Sequence, residues 1–305
     1  MNGLRRYTVA AAQYPIDRLA DFAAWKAKLA HWVAEAADEG AKLLVFPEYG
    51  GMELTALDPA TVADLHGSIA ALGALAERID AAHAELAARH GVHILAGTLP
   101  VRGDDGRYRN HARLFAPNGK SGVQQKLVMT RFEREQWGIA GGAAIRVFET
   151  ALGRIGVAIC YDVEFPLLVR AMVEAGAELI LAPSATDTIQ GWCRVRVGAR
   201  ARALENQCYV VQAPVVGDAE WTPSLDVSRG VAGIFGPPDL GFADDGVVAE
   251  GALDVPGWVY GEVDLDKVAE VRRAGAVFNH AHWGEQLGGA AVPGLAAGVE
   301  GVDLR

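Results

Sequence analysis

The chain has 305 residues and a formal net charge of -10, with 51% hydrophobic and 22% charged residues. That length can bury a substantial core, and with no basic cluster beyond one arginine-rich stretch the balance disfavours a nucleic-acid partner. The first apolar stretch, Val9 to Ala12, is too short for a signal segment, no run reaches transmembrane length, and three cysteines argue against a disulfide framework. No membrane partner is expected, and a reducing compartment, the cytoplasm, is the expected location.

Strand-like and helix-like segments alternate through the first half. Tyr7 to Gln13 reads as a strand, and Leu19, Phe22, Trp25, Leu29, Trp32, Val33 and Ala36 follow at helical spacing. Gly40 stops that helix, and Lys42 to Phe46 is a compact apolar strand ending at Pro47-Glu48. An alanine-rich helical region is expected to about His90, then a strand from His93 to Leu99. Hairpins follow: Tyr108 to Ala116 turns at Asn118-Gly119 into Gly122 to Val128, and Ile145 to Thr150 joins Arg154 to Cys160 through Gly153.

The second half returns to a β-α rhythm. Phe165 to Ala175 reads as a helix, Glu178 to Ala182 as a strand and Gly191 to Asn206 as an arginine-rich helix. Cys208 to Ala213, Gly230 to Phe235 and Val259 to Val263 read as strands. Helices mixed with hairpins and βα units imply a layered α/β sandwich with mixed sheets. Residues 1–286 read as one domain, and 287–305 as a Gly/Ala-rich tail, loosely ordered or draped on a neighbour.

Three polar residues end apolar strands. Glu48 follows Leu43 to Pro47, Lys126 closes Gly122 to Gln125, and Cys160 closes Ile155 to Ile159. Residues of this kind converge on one rim of a sheet even when distant in sequence. Taken singly, each also fits a plainer role: an exposed turn, a solvated strand end, a packed thiol.

Together, Phe46-Pro47-Glu48, Gln125-Lys126 and Gly156-Val157-Ala158-Ile159-Cys160-Tyr161-Asp162-Val163-Glu164-Phe165-Pro166 resemble the nitrilase superfamily of carbon–nitrogen hydrolases. The order matches, and so do the separations of 78 and 34 residues. Ala199 to Val211 continues the likeness, which weakens past about Trp283. The resemblance implies a four-layer αββα sandwich with two mixed β-sheets, a homodimer or larger homo-oligomer, no cofactor, and a small-molecule amide as substrate.

On this reading Cys160 is the nucleophile and Glu48 a partly desolvated base. The Lys126 ammonium and the Tyr161 main-chain N–H are the donors to a developing oxyanion. The family's second glutamate follows the lysine inside an aromatic-Glu-basic group. Phe132-Glu133-Arg134 fits, which selects Glu133, with Glu135 as the near alternative. Many amidase-like members carry Cys-Tyr-Asp-x-Arg-Phe-Pro, whereas this chain has Glu164 at the arginine position. Cys-Tyr-Asp, rather than the Cys-Trp-Glu of many nitrilases, favours amides over nitriles.

Asp187, in a Ser/Thr/Asp cluster after a strand, is either a substrate contact or part of a helix N-cap. Trp192, with Cys193 beside it, is expected near the site, while Cys208 belongs to the core. Trp137, Trp192 and Trp221 suggest an aromatic-walled pocket. The helix arginines suggest salt bridges, and the histidines lack the spacing of a metal site. Nitrile hydrolysis, acyl transfer to an amine and a non-catalytic binding module are the competing readings.

Overall fold

In chain order the strands are β1 (Arg6–Pro15), β2 (Ala41–Val45), β3 (His93–Leu95), β4 (Leu99–Arg102), β5 (Tyr108–Phe115), β6 (Ser121–Gln125), β7 (Ile145–Thr150) and β8 (Gly153–Val157). After them come β9 (Leu179–Ser184), β10 (Tyr209–Asp218), β11 (Val227–Ser228), β12 (Gly233–Phe235), β13 (Val247–Glu250), β14 (Gly257–Asp264) and β15 (Val299–Asp303). The helices are α1 (Phe22–Asp38), α2 (Leu65–Gly73), α3 (Ala76–His90), α4 (Pro166–Glu174), α5 (Ile189–Asn206) and α6 (Leu265–Ala274). This is a computed structural model, and it describes residues 4–286 and 298–305.

Two mixed sheets result. The first runs β14-β1-β2-β3-β5, with β4 and β6 also paired to β5; the second runs β15-β7-β8-β9-β10-β12-β13. They meet where β1 pairs in parallel with β10, Tyr14 opposite Val215 and Pro15 opposite Val216. The period-two alternation of a strand sorts β1 onto two faces. Tyr7, Val9 and Ala11 point into the core shared by the sheets, while Ala10, Ala12 and Tyr14 face the layer of α1, α2 and α3. Leu43 and Val45 of β2 divide from Leu44 in the same way. Residues from α4 and α5 cover the far face of the second sheet, which completes the α-β-β-α stack.

Side-chain spacing explains the helices. Trp25, Leu29, Trp32, Val33 and Ala36 make the buried stripe of α1, and Asp21 caps it by accepting from the Ala24 N–H. The alanine-rich region after Glu48 is not one long helix. A 3-10 segment, Gly50–Leu57, comes first, and α2 starts separately with Asp64 as its N-cap. The expected strand from His93 to Leu99 breaks into β3 and β4 at Gly97, where a Cβ would lie 3.0 Å from the Gly50 Cα. The sequence reading contained neither β13 nor α6, although Leu265, Val268 and Val271 give α6 its buried face.

The loose-tail reading fails for its last residues. β15 pairs in parallel with β7 from Val299–Ile145 to Asp303–Glu149, and Leu304 is buried in the shared core. The rest of that tail, 287–297, lies outside the described residues. Among the described residues no helix is long and apolar enough to cross a membrane. Leu304→Ala is expected to cost about 2–4 kcal/mol through the cavity it leaves, read from the urea unfolding midpoint. A variant with the wild-type midpoint would mean that the terminal strand does not seal the core.

Candidate active site

Strand direction brings the polar residues together. β1 and β2 are parallel, β1 runs parallel to β10, and β10, β9 and β8 are parallel in turn. β6 is antiparallel to β5, which is antiparallel to β3, so β6 shares the direction of β2. The carboxyl ends of β2, β6, β8 and β9 therefore open on one rim. Glu48 and Lys126 come from the first sheet; Cys160 and the Ala185 backbone come from the second.

Local backbone sets each group. Pro47 ends β2, its carbonyl accepts from the Thr98 N–H, and the Thr98 hydroxyl in turn accepts from the Tyr49 N–H at 2.8 Å. Cys160 opens a 3-10 turn, Cys160–Glu164, with φ at 48°; Tyr49, directly after Glu48, has φ at 55°. Side chains other than glycine's avoid this left-handed region, and occupying it costs about 1–3 kcal/mol per residue. Surrounding contacts hold the Cys160 turn in place. Gly198 of α5 lies so close that a Cβ would meet the Val163 carbonyl at 3.0 Å, and Arg202 donates to that same oxygen at 3.1 Å.

Four ionisable side chains meet almost out of contact with solvent: Glu48 and Lys126 are 1% exposed, Glu133 2% and Cys160 4%. Lys126 Nζ donates to Glu48 Oε1 and to Glu133 Oε2, each at 2.7 Å. Glu133 also accepts from the Tyr49 hydroxyl at 2.6 Å and from the Thr130 N–H and hydroxyl at 2.9 Å. Glu48 accepts from Asn110 Nδ2 at 3.0 Å and from the Ala185 N–H at 3.1 Å, while Cys160 Sγ donates to the Ala185 carbonyl at 3.7 Å.

This wiring drives the two carboxyls apart. Burial would raise both, but Lys126, Tyr49 and Thr130 outweigh it at Glu133 and hold that carboxyl below its usual range. At Glu48 burial wins over Lys126, the Glu133 charge adds to it, and the carboxyl is pushed up to about 7. Burial opposes the Lys126 ammonium, yet Glu48 and Glu133 overcome it and keep the lysine charged. Burial and the neighbouring Glu48 push the Cys160 thiol well above its ordinary value. The two carboxyls of one cluster are thus shifted in opposite directions.

A cleft of about 530 Å³ opens above this group. Tyr161, Asp187 and Trp137 line it, as does Glu164, which pairs with Arg194 at 3.5 Å. Thr188, not Asp187, caps α5, leaving Asp187 exposed at the cleft. Trp192 does not line the cleft; its indole donates to the Val231 carbonyl at 3.1 Å, and Trp221 packs in the helical layer. Glu135 points outward to Arg131, so the geometry selects Glu133. Cys193 is exposed, and Cys208 sits in the core, its thiol pushed up to about 12 by burial. Among the described residues no group of three or more His, Cys, Asp or Glu side chains is placed to hold a metal ion.

Sequence reasoning missed Asn110, Tyr49, Thr130, Asp162 and the Ala185 backbone. Asn110 had a signal: it shares the buried face of β5 with Ala112 and Leu114, a polar residue in an apolar period-two series. Asp162 lay within the quoted motif without a role. Its carboxylate accepts from the Leu127 N–H at 3.1 Å and the Val128 N–H at 2.8 Å, pinning the segment after Lys126 to the Cys160 turn.

The sequence profile of the carbon-nitrogen hydrolase family matches residues 8–273. The chain belongs to this family. It is 34% identical over 269 residues to "Probable hydrolase YhcX" of Bacillus subtilis, covering 88% of this chain and 52% of the relative. The chain thus spans about half the length of that protein. It is 31% identical to the human "Deaminated glutathione amidase" over 264 residues, covering 82% of this chain and 75% of the other. Nit3 of Saccharomyces cerevisiae, a nitrilase-superfamily member, superposes with a TM-score of 0.71 at 22% identity, over 90% of this chain and 96% of Nit3. That likeness is one of fold, and it matches the four-layer sandwich described above.

Asp162→Ala leaves two part-buried backbone donors without their acceptor and is expected to lower stability by about 1–3 kcal/mol in denaturant unfolding. Unchanged stability would show that the Leu127–Val128 segment holds itself in place.

Proposed function

We propose that the chain is a thiol hydrolase that cleaves the non-peptide C–N bond of a small amide through a thioester on Cys160. The observation that carries this reading is the buried Lys126 ammonium, held between Glu48 and Glu133 beside the Cys160 thiol. A thiol raised by burial is a poor nucleophile until its proton has somewhere to go, and Glu48 is the adjacent carboxyl tuned near neutrality.

The steps follow from these groups. Sγ attacks the amide carbon as its proton passes to Glu48. Negative charge collects on the amide oxygen, where the Lys126 ammonium and the Tyr161 N–H receive it; the latter lies in the first turn of a helical segment, whose donors lack intrahelical acceptors. Glu48 returns the proton to the departing amine, the C–N bond breaks, and the thioester remains. Water then attacks the thioester with Glu48 as base, giving the carboxylic acid and the free thiol. Glu133 stays ionised throughout and keeps Lys126 charged and aimed. The name of the human relative supports amides as the substrate class.

Removing the ammonium would strand two buried carboxylates, so Lys126 variants test stability along with chemistry, whereas Cys160→Ala changes the nucleophile alone. Ammonia release should be screened over short aliphatic amides, ω-amides of dicarboxylates, carbamoyl amines and nitriles. With a responsive amide, mass spectrometry should find an acyl adduct on Cys160, and Cys160→Ala should lose at least about 10³-fold in kcat. An adduct on Cys193 would overturn the assignment.

The pH dependence has a definite sign. Glu48 acts as base only when ionised, and its carboxyl is raised to about 7. kcat/KM should therefore be flat above that value and fall about tenfold per pH unit below it. A profile unchanged down to about pH 5, where an ordinary glutamate remains ionised, would remove Glu48 as the base.

A further inference from the structure

Asn110 stands outside the cleft, on β5, with no exposed surface. Two of its groups reach two different members of the buried cluster. Its main-chain carbonyl accepts from the Lys126 N–H at 2.9 Å, and its Nδ2 donates to Glu48 Oε1 at 3.0 Å. The same Oε1 takes the Lys126 ammonium. The other oxygen, Oε2, is held by the Ala185 N–H, and the Ala185 carbonyl accepts from the Cys160 thiol.

We propose that Asn110 is a positioning residue that fixes the rotation of the Glu48 carboxylate, reserving Oε1 for the lysine side and Oε2 for the thiol. The terminal torsion of a glutamate is broad and roughly two-fold, so the ammonium alone does not define it. A second donor on Oε1, carried by the same strand residue that anchors the Lys126 backbone, locks carboxylate and ammonium to one frame. The cost of keeping an asparagine here supports a task beyond packing. Its Oδ1 is buried without a hydrogen-bond partner among the described residues, a penalty that an apolar side chain of similar volume would not carry.

The inference rests on the hydrolase reading for its kinetic test, and the chemistry of the thiol provides a test that does not. Glu48 is faced by Lys126 from the segment after β6, by Glu133 from the helical turn Phe132–Trp137 and by Cys160 from the turn after β8. Asp162 lies near Lys126. Asn110→Leu leaves those charges in place and removes one donor that favours ionised Glu48. Its stability should equal or exceed wild type, while kcat falls about tenfold or more and the acid limb of kcat/KM moves up by about one pH unit. Asn110→Asp, which keeps the shape and adds a second carboxyl, should move the limb further in the same direction.

Each variant is to be followed in parallel by iodoacetamide alkylation of Cys160 against pH, mapped by mass spectrometry. The alkylation limb should shift as the kinetic limb does. A protein that hydrolyses no amide yet shows the alkylation shift would defeat the hydrolase reading and sustain this one. A folded Asn110→Leu with wild-type kcat, or with reduced kcat and both limbs unmoved, would overturn it. Should Asn110→Leu fail to fold, unmoved limbs in Asn110→Asp would overturn it equally.

Discussion

Everything at the rim of this sandwich is arranged around one buried ammonium. Taking Lys126 out of water is unfavourable by several kcal/mol, and one carboxylate offsets that only with good geometry and further hydrogen bonds. Here there are two carboxylates, each 2.7 Å from the same nitrogen. The second creates a surplus of negative charge, and the fold distributes it unevenly. Glu133 takes the donors that keep it an anion, while at Glu48 burial prevails over Lys126 beside the thiol. Burial is what raises the Glu48 carboxyl, and the Glu133 charge that helps to keep Lys126 ionised adds to it.

That arrangement needs both sheets. A single parallel contact, Tyr14 to Val215 and Pro15 to Val216, sets the direction in which the two halves of the fold meet. From it follows which strand ends share a rim, and only then can residues from four distant stretches lie within hydrogen-bond reach. Left-handed backbone at Tyr49 and Cys160 marks where the chain turns sharply to deliver them. α5 takes part from behind: Gly198 lets it press on the Cys160 turn, and Arg202 fastens that turn by the Val163 carbonyl.

The positions legible in sequence were those where a strand stops. Glu48 and Cys160 each interrupt an apolar run, and a pattern of polarity along the chain exposes such a residue; Lys126 follows Gln124-Gln125 and stands out only by its place in the three-motif resemblance. Glu133 and Glu135 could not be separated that way, because two acids flanking one arginine look alike until the turn sends one inward and the other to Arg131. Ala185 was invisible for a different reason: its contribution is an N–H and a carbonyl that any residue except proline would bring. The alanine-rich region read as one helix because propensity says nothing about where the Gly50 backbone must lie against Gly97. Trp192 was placed in the pocket on its chemistry alone, whereas its helical position turns the indole toward Val231.

The split origin of the cluster has a further meaning. Glu48 and Lys126 ride on one sheet and the Cys160 thiol on the other, so the distance between them measures how the two sheets are docked. A small slip of one sheet against the other would part Cys160 from Glu48 long before either lost its strands. The Cys160 thiol is thereby a built-in gauge of tertiary closure: secondary structure can persist in a loosened sandwich, but the environment that shapes this thiol exists only in the fully seated one.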